Sequence, residues 1–169
     1  IMDLGMSTGL VPLRHLDSFS VNVRARNIAD GDTTVYGSLV TIDVTKPIIT
    51  SVSDMAERDV DVVTTTELDG YFYFDAVDSE SGILSASFCI GSYPQACDVS
   101  GSGWPVDLRE RRAHISLPVE EGYVYFATFE VINGAGNDKW ESSDGFTVDV
   151  SGPKCNDVLD GHVTDMCVT

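Results

Sequence analysis

Basic residues are scarce in this sequence: ten Lys and Arg stand against 27 Asp and Glu, a formal charge of −17. So acidic a surface repels phosphate backbones and anionic lipid, which excludes nucleic acid as a partner. Long apolar runs are missing as well. None approaches the roughly 18 residues that cross a bilayer, so no membrane span is expected. Ile1–Leu16 has neither the basic start nor the apolar block of a signal peptide, and the sequence reads as a window on a longer or processed chain. No Asn-x-Ser/Thr acceptor occurs, so N-glycans are not expected. His15, His114 and His162 are far apart, and neither a Gly-x-Ser-x-Gly elbow, a His-Glu-x-x-His helix nor a phosphate-binding glycine loop is present. Catalysis is therefore not expected, and no cofactor is implied.

What the sequence does contain is a packed core and a repeat. Apolar residues make up 43% of the 169, enough for a folded interior. Sliding the sequence by 106 positions aligns Pro12–Pro47 with Pro118–Pro153 without a gap. Asn27/Asn133, Ala29/Ala135, Thr41/Thr147, Asp43/Asp149, Val44/Val150 and both prolines are identical pairs. Phe19, Val21, Val23 and Ala25 fall on Tyr125, Ala127, Phe129 and Val131, two stripes of period 2 that each read as a half-buried strand. Thr45-Lys-Pro47 and Ser151-Gly-Pro153 then act as linkers, since proline ends strand pairing. The spacing divides the chain into the C-terminal part of one unit (1–46), a complete unit (47–153) and the beginning of a third (154–169).

Within the complete unit every signal is β. Strands are expected at Ile48–Val52, Val60–Thr65, Leu68–Phe74, Leu84–Ile90, His114–Leu117, Tyr123–Ile132 and Phe146–Val150, and Asp107–Arg112 has the composition of a single helical turn. About seven short antiparallel strands in roughly 100 residues indicate an all-β, immunoglobulin-like sandwich, and the offset indicates a tandem array of them. Phe129 and Phe88 are expected in the core, with Thr128 and Ser87 pointing away from it.

The stretch Leu117-Pro118, then Tyr125-x-Ala127-x-Phe129-x-Val131-x-Asn133-x-Ala135-Gly136, resembles the fibronectin type III pattern at the end of strand E and along strand F. Phe74–Ile83 followed by Ile90-Gly91 is similar to the B-to-C passage of such repeats in large cell-surface proteins, with phenylalanine in place of the usual tryptophan. The resemblance implies that Tyr125 is the tyrosine-corner residue, its hydroxyl bonding to backbone near Pro118. Phe19 in the first copy lacks that hydroxyl.

Four cysteines form two local pairs, Cys89/Cys97 and Cys155/Cys167, neither with C-x-x-C spacing. Disulfides within each pair are expected, which places the protein in an oxidising, extracellular or cell-surface setting. Asp75, Asp78 and Glu80 put three carboxylates in one loop, a candidate calcium site whose alternative is ordinary turn capping. The acids Asp43, Asp54 and Asp59 recur as Asp149, Asp160 and Asp165 and form a second candidate for cations at a unit junction. The expected function is that of a structural module, a spacer or filament subunit packed head to tail against neighbouring repeats or copies. The alternative is a ligand-binding adhesin or receptor ectodomain, for which Tyr93, Trp104 and Trp140 are the candidate contact residues.

Overall fold

The computed structural model describes residues 12–55 and 58–154, and among them the chain is all-β, with strands and no helix. Leu68, Phe72, Phe74 and Ala76 alternate along β5 (Glu67–Val77) and are all buried, so this strand holds one face on the core. It pairs antiparallel with β3 (Ile48–Ser53) on one side and β8 (Arg112–Pro118) on the other, a sheet of order β3-β5-β8. The second sheet centres on β9 (Val124–Asn133), with β6 (Ile83–Gly91) and β7 (Trp104–Pro105) on one flank. On its other flank, β9 pairs with β10 (Asp138–Ser142) through residues 128–132 and with β11 (Phe146–Val148) through residues 124–125. The two-residue β4 (Val62–Val63) adds parallel to β11.

The inner faces of these sheets share one core, consistent with a β-sandwich. Phe74 stacks on Phe129 at 4.7 Å between ring centroids, and Phe72 meets Phe88 at 5.1 Å. These contacts join β5 of one sheet to β9 and β6 of the other. The core residues of β9 are the stripe Tyr125, Ala127, Phe129 and Val131. Thr128 leaves the core but is also fully buried: it lies opposite Cys89, and its hydroxyl is 3.0 Å from that of Ser142. Ser87 is half-buried on the outer face and donates to Glu130. The segment Asp107–Arg112 makes a hairpin turn rather than a helical one. Asp107 and Arg112 bridge backbone to backbone, and the Asp107 carboxylate accepts the amides of Arg109 and Glu110. Arg111 at φ 52° completes the reversal.

Ahead of this core, β1 (Ser18–Arg26) and β2 (Asp32–Thr41) form a two-stranded antiparallel ribbon. Its register is that of the second sheet displaced by 106. Arg26 faces Asp32 as Ile132 faces Asp138, Val23 faces Val35 as Phe129 faces Glu141, and Phe19 faces Val40 as Tyr125 faces Phe146. The loops coincide too. Asn27 Oδ1 accepts the amides of Ala29 and Gly31, and Asn133 Oδ1 those of Ala135 and Asn137. Asp30 and Gly136, again 106 apart, both have positive φ, at 64° and 85°. The burial differs completely. Val21 and Val23 are 64% and 57% exposed, whereas Ala127 and Phe129 are fully covered.

Candidate functional site

The chain leaves β2 through Asp43-Val-Thr45, and this short linker is fastened to the end of the sandwich by side chains. Asp43 Oδ1 accepts the amide and hydroxyl of Thr45, an Asx-type turn that stops the strand. Asp149 and Ser151 repeat both bonds 106 positions later. Asp43 Oδ2 accepts from Ser81 Oγ at 2.6 Å and from Asn133 Nδ2 at 2.9 Å. Asn133, fully buried at the end of β9, also donates to Asp78 Oδ2 and to the Thr45 carbonyl, each at 2.9 Å. One amide thus ties the preceding linker, the 78–82 turn and its own loop together. Gly134 makes room for this, because a Cβ there would lie 2.4 Å from the Ser81 carbonyl oxygen.

The electrostatics of the junction favour ionised carboxylates. The Ser81 hydroxyl, then Thr45, hold Asp43 below the usual carboxylate range. Burial pushes Asp78 up, but bonds from Asn133 and Ser81 outweigh it and the net shift is downward. His15 stands 3.9 Å from Asp43 and 4.0 Å from Glu80, closing the same cluster from the β1 side.

The three loop acids expected to form one site go to different partners. Asp75 faces the guanidinium of Arg111, Asp78 belongs to the Asn133 network, and Glu80 accepts from Ser79. Of the three, Asp78 also caps its turn, accepting the amides of Ser81 and Gly82 at Oδ1. Tyr125 accepts the amide of Glu120 at its hydroxyl, 2.9 Å away, two residues past Pro118. Trp104 is half-buried beside Phe88 and donates its indole N–H to the Ser100 carbonyl, so it covers a sheet edge.

Cys89 and Cys97 are joined by a disulfide with Cα atoms 5.3 Å apart. The loop between them turns at Tyr93–Ala96, where Pro94 occupies the second position and Gln95 the third at φ 62°. The loop then folds back over the outer face, and Gln95 N–H donates to Ser142 Oγ. Only glycine fits at 91, since a Cβ would lie 2.2 Å from the Ala96 carbonyl oxygen. Closing so short a loop removes denatured-state entropy worth about 2–3 kcal/mol. Reduction should therefore lower the unfolding free energy by about that amount in denaturant melts, and non-reducing peptide maps should recover the two cysteines cross-linked. Cys155 and Cys167 lie outside the described residues.

A further acidic group lies at the opposite end of the strands. Asp54 follows β3, Asp59 precedes β4, and Asp144 sits in the break between β10 and β11. One carboxylate oxygen from each comes within 4.8 Å of the others. Asp54 is fully buried, and neither of its oxygens has a hydrogen-bond partner of normal geometry among the described residues. Burial drives its pKa up to about 7, which Ser143 and the Gly145 amide only moderate and which Asp59 and Asp144 reinforce. Asp144 is raised as well, by a shared hydrogen bond and like charge with Asp59. In chelator, the native state then holds a proton that the unfolded chain releases between pH 3.8 and about 7. Stability should accordingly fall as pH rises through that window. Thermal melts in chelator at pH 5 and 8 should show this slope, and Asp54→Asn should flatten it.

Asp54 and Asp59 were legible as recurring acids, but Asp144 was not. In Ser142-Ser-Asp-Gly145 it reads only as a turn former, and convergence with Asp54 across 90 positions leaves no local signal. No helix among the described residues is long and apolar enough to cross a membrane. Compared with protein-family models and with curated proteins, the chain matches none.

Proposed function

We propose that this chain is a structural module of an extracellular tandem-repeat protein, in which fibronectin type III-like sandwiches follow one another head to tail as a spacer or filament. The observation that carries this reading is the shared register of the two ribbons: seven of the eight residue pairs of β1–β2 recur in β9–β10–β11 at an offset of 106, and the loop hydrogen bonds recur with them. In this reading β1 and β2 are the last strands of a preceding unit, and residues 47–153 are a whole one. The sheet order β3-β5-β8 against β11-β9-β6 supports the family assignment.

The junction suits the mechanical task. Asn133 and Ser81 bond the linker carboxylate directly, so the hinge between units is clamped rather than free. A surface of charge −17 keeps parallel chains apart laterally while leaving end-to-end contacts to the linkers. The module catalyses nothing in this account. Its setting is outside the cell, which the disulfide favours. Rotary-shadowed electron micrographs of the native protein should show rods with a regular bead. A ten-residue strand of about 33 Å sets the lower bound of the bead spacing. A single compact globule would contradict the proposal.

A further inference from the structure

We propose that Asp54, Asp59 and Asp144 bind a divalent cation, calcium in preference to magnesium, and that this ion pins the start of the unit to its last strand. Three observations point to it. First, Asp54 is fully buried and neither of its oxygens has a hydrogen-bond partner of normal geometry among the described residues, although buried carboxylates are normally satisfied. Second, its orphaned group is aimed at two more carboxylates on separate elements, with oxygens within 4.8 Å of one another. When ionised, three carboxylates so placed repel one another, and a hard cation between them supplies attractions that outweigh that repulsion. Third, Asp59 and Asp144 are exposed, so an ion and its completing waters have access.

The donor set selects the metal. With only carboxylate oxygens and no imidazole or thiolate, it suits hard ions rather than zinc. Calcium, holding oxygens at about 2.3–2.6 Å, bridges pairs up to about 5 Å apart, whereas magnesium at about 2.0–2.1 Å reaches only about 4 Å. Oxygens that all lie within 4.8 Å of one another are inside calcium's span, and calcium accepts an irregular set of oxygens where magnesium demands a near-ideal octahedron. The ion would link the residues after β3, the residues before β4, and the break between β10 and β11. Among the described residues those segments also meet through the Asp54 amide, which donates to Asp59 Oδ1, and through the two-residue parallel pairing of β4 with β11 with its flanking backbone bonds.

The test is calorimetric titration of the chelator-stripped protein with calcium chloride and with magnesium chloride, together with thermal melts in calcium or in chelator. A single site should appear with Kd in the range of about 10⁻⁴–10⁻³ M found for extracellular modules, and the melting temperature should rise with calcium. Asp144→Asn, at an exposed position, should weaken binding at least about tenfold while the fold persists. Asp54→Asn should melt higher than wild type in chelator at pH 8, because a buried charge is gone, yet show no response to calcium. Asp75→Asn and Glu80→Gln should bind as wild type. Absence of heat and of any melting shift up to about 10 mM calcium would overturn the site. So would loss of binding in Asp75→Asn or Glu80→Gln but not in Asp144→Asn, and magnesium binding as tightly as calcium would overturn the choice of ion.

Discussion

Phe129→Ala should destabilise the sandwich by about 3–5 kcal/mol, the range for emptying a fully buried aromatic site. Phe129 has no exposed surface and touches Phe74 at 4.7 Å and Phe88 at 4.9 Å, so it bridges both sheets at the centre of the core. Neither neighbour can collapse into the gap without leaving its own strand position, because Phe74 is fixed by pairing with Val52 of β3 and Phe88 by pairing along β6. In urea the midpoint should move while the slope stays constant, the sign of lost stability without a changed unfolded state. A loss below about 1 kcal/mol would mean that the site repacks and that the core is not closed as described.

Asn133→Ala should cost about 3 kcal/mol or more, for a different reason. The amide donates to two carboxylates and one carbonyl and accepts two loop amides, all inside the protein. Hydrogen bonds to charged groups contribute about 1.5–3 kcal/mol each, and deleting the donor leaves Asp43 and Asp78 facing each other without it. Asn133→Asp should be worse at neutral pH, since it adds a third negative charge, and should recover in part on acidification. Small-angle scattering should register the linker coming loose as a larger radius of gyration. Asn27→Ala removes only the two loop bonds of the exposed ribbon and should lose less. Equal losses at the two positions would show that the junction contributes nothing beyond its loop.

The central strands were readable because their apolar residues recur at every second position on the core face, even where the outer face is covered too, as at Thr128. The stripes along β5 and β9 are visible as letters, and β3, β6, β8 and β11 fall within a residue or two of the expected bounds. β10 was not readable. Asp138-Lys-Trp-Glu-Ser142 is half-buried throughout and carries no apolar alternation, and its pairing is imposed by the Asn133 loop rather than by its own residues. β7, two residues long, is held by Trp104 at a sheet edge and lies below what any pattern detects. Local chemistry fared better than distant chemistry. Cys89 and Cys97 are close in sequence and their turn formers are visible, whereas Asp43, Asp78 and Asn133 span 90 positions and meet only when the linker docks. The loop acids Asp75, Asp78 and Glu80 show the limit of composition: their nearness in sequence did not predict the arginine, amide and hydroxyl that each one faces.

The central claim is that β1–β2 is the counterpart of β9–β10–β11 in a neighbouring unit. An isolated two-stranded ribbon is marginal in water, so its amides exchange quickly unless a second sheet covers the apolar face. Val21 and Val23, exposed within residues 12–154, would be covered in the native polypeptide as Ala127 and Phe129 are here. Hydrogen exchange on the native protein therefore decides the matter. The account predicts that peptides spanning 18–26 are protected to the same degree as those spanning 124–132. Exchange of 18–26 within seconds, with 124–132 protected for hours, would contradict it.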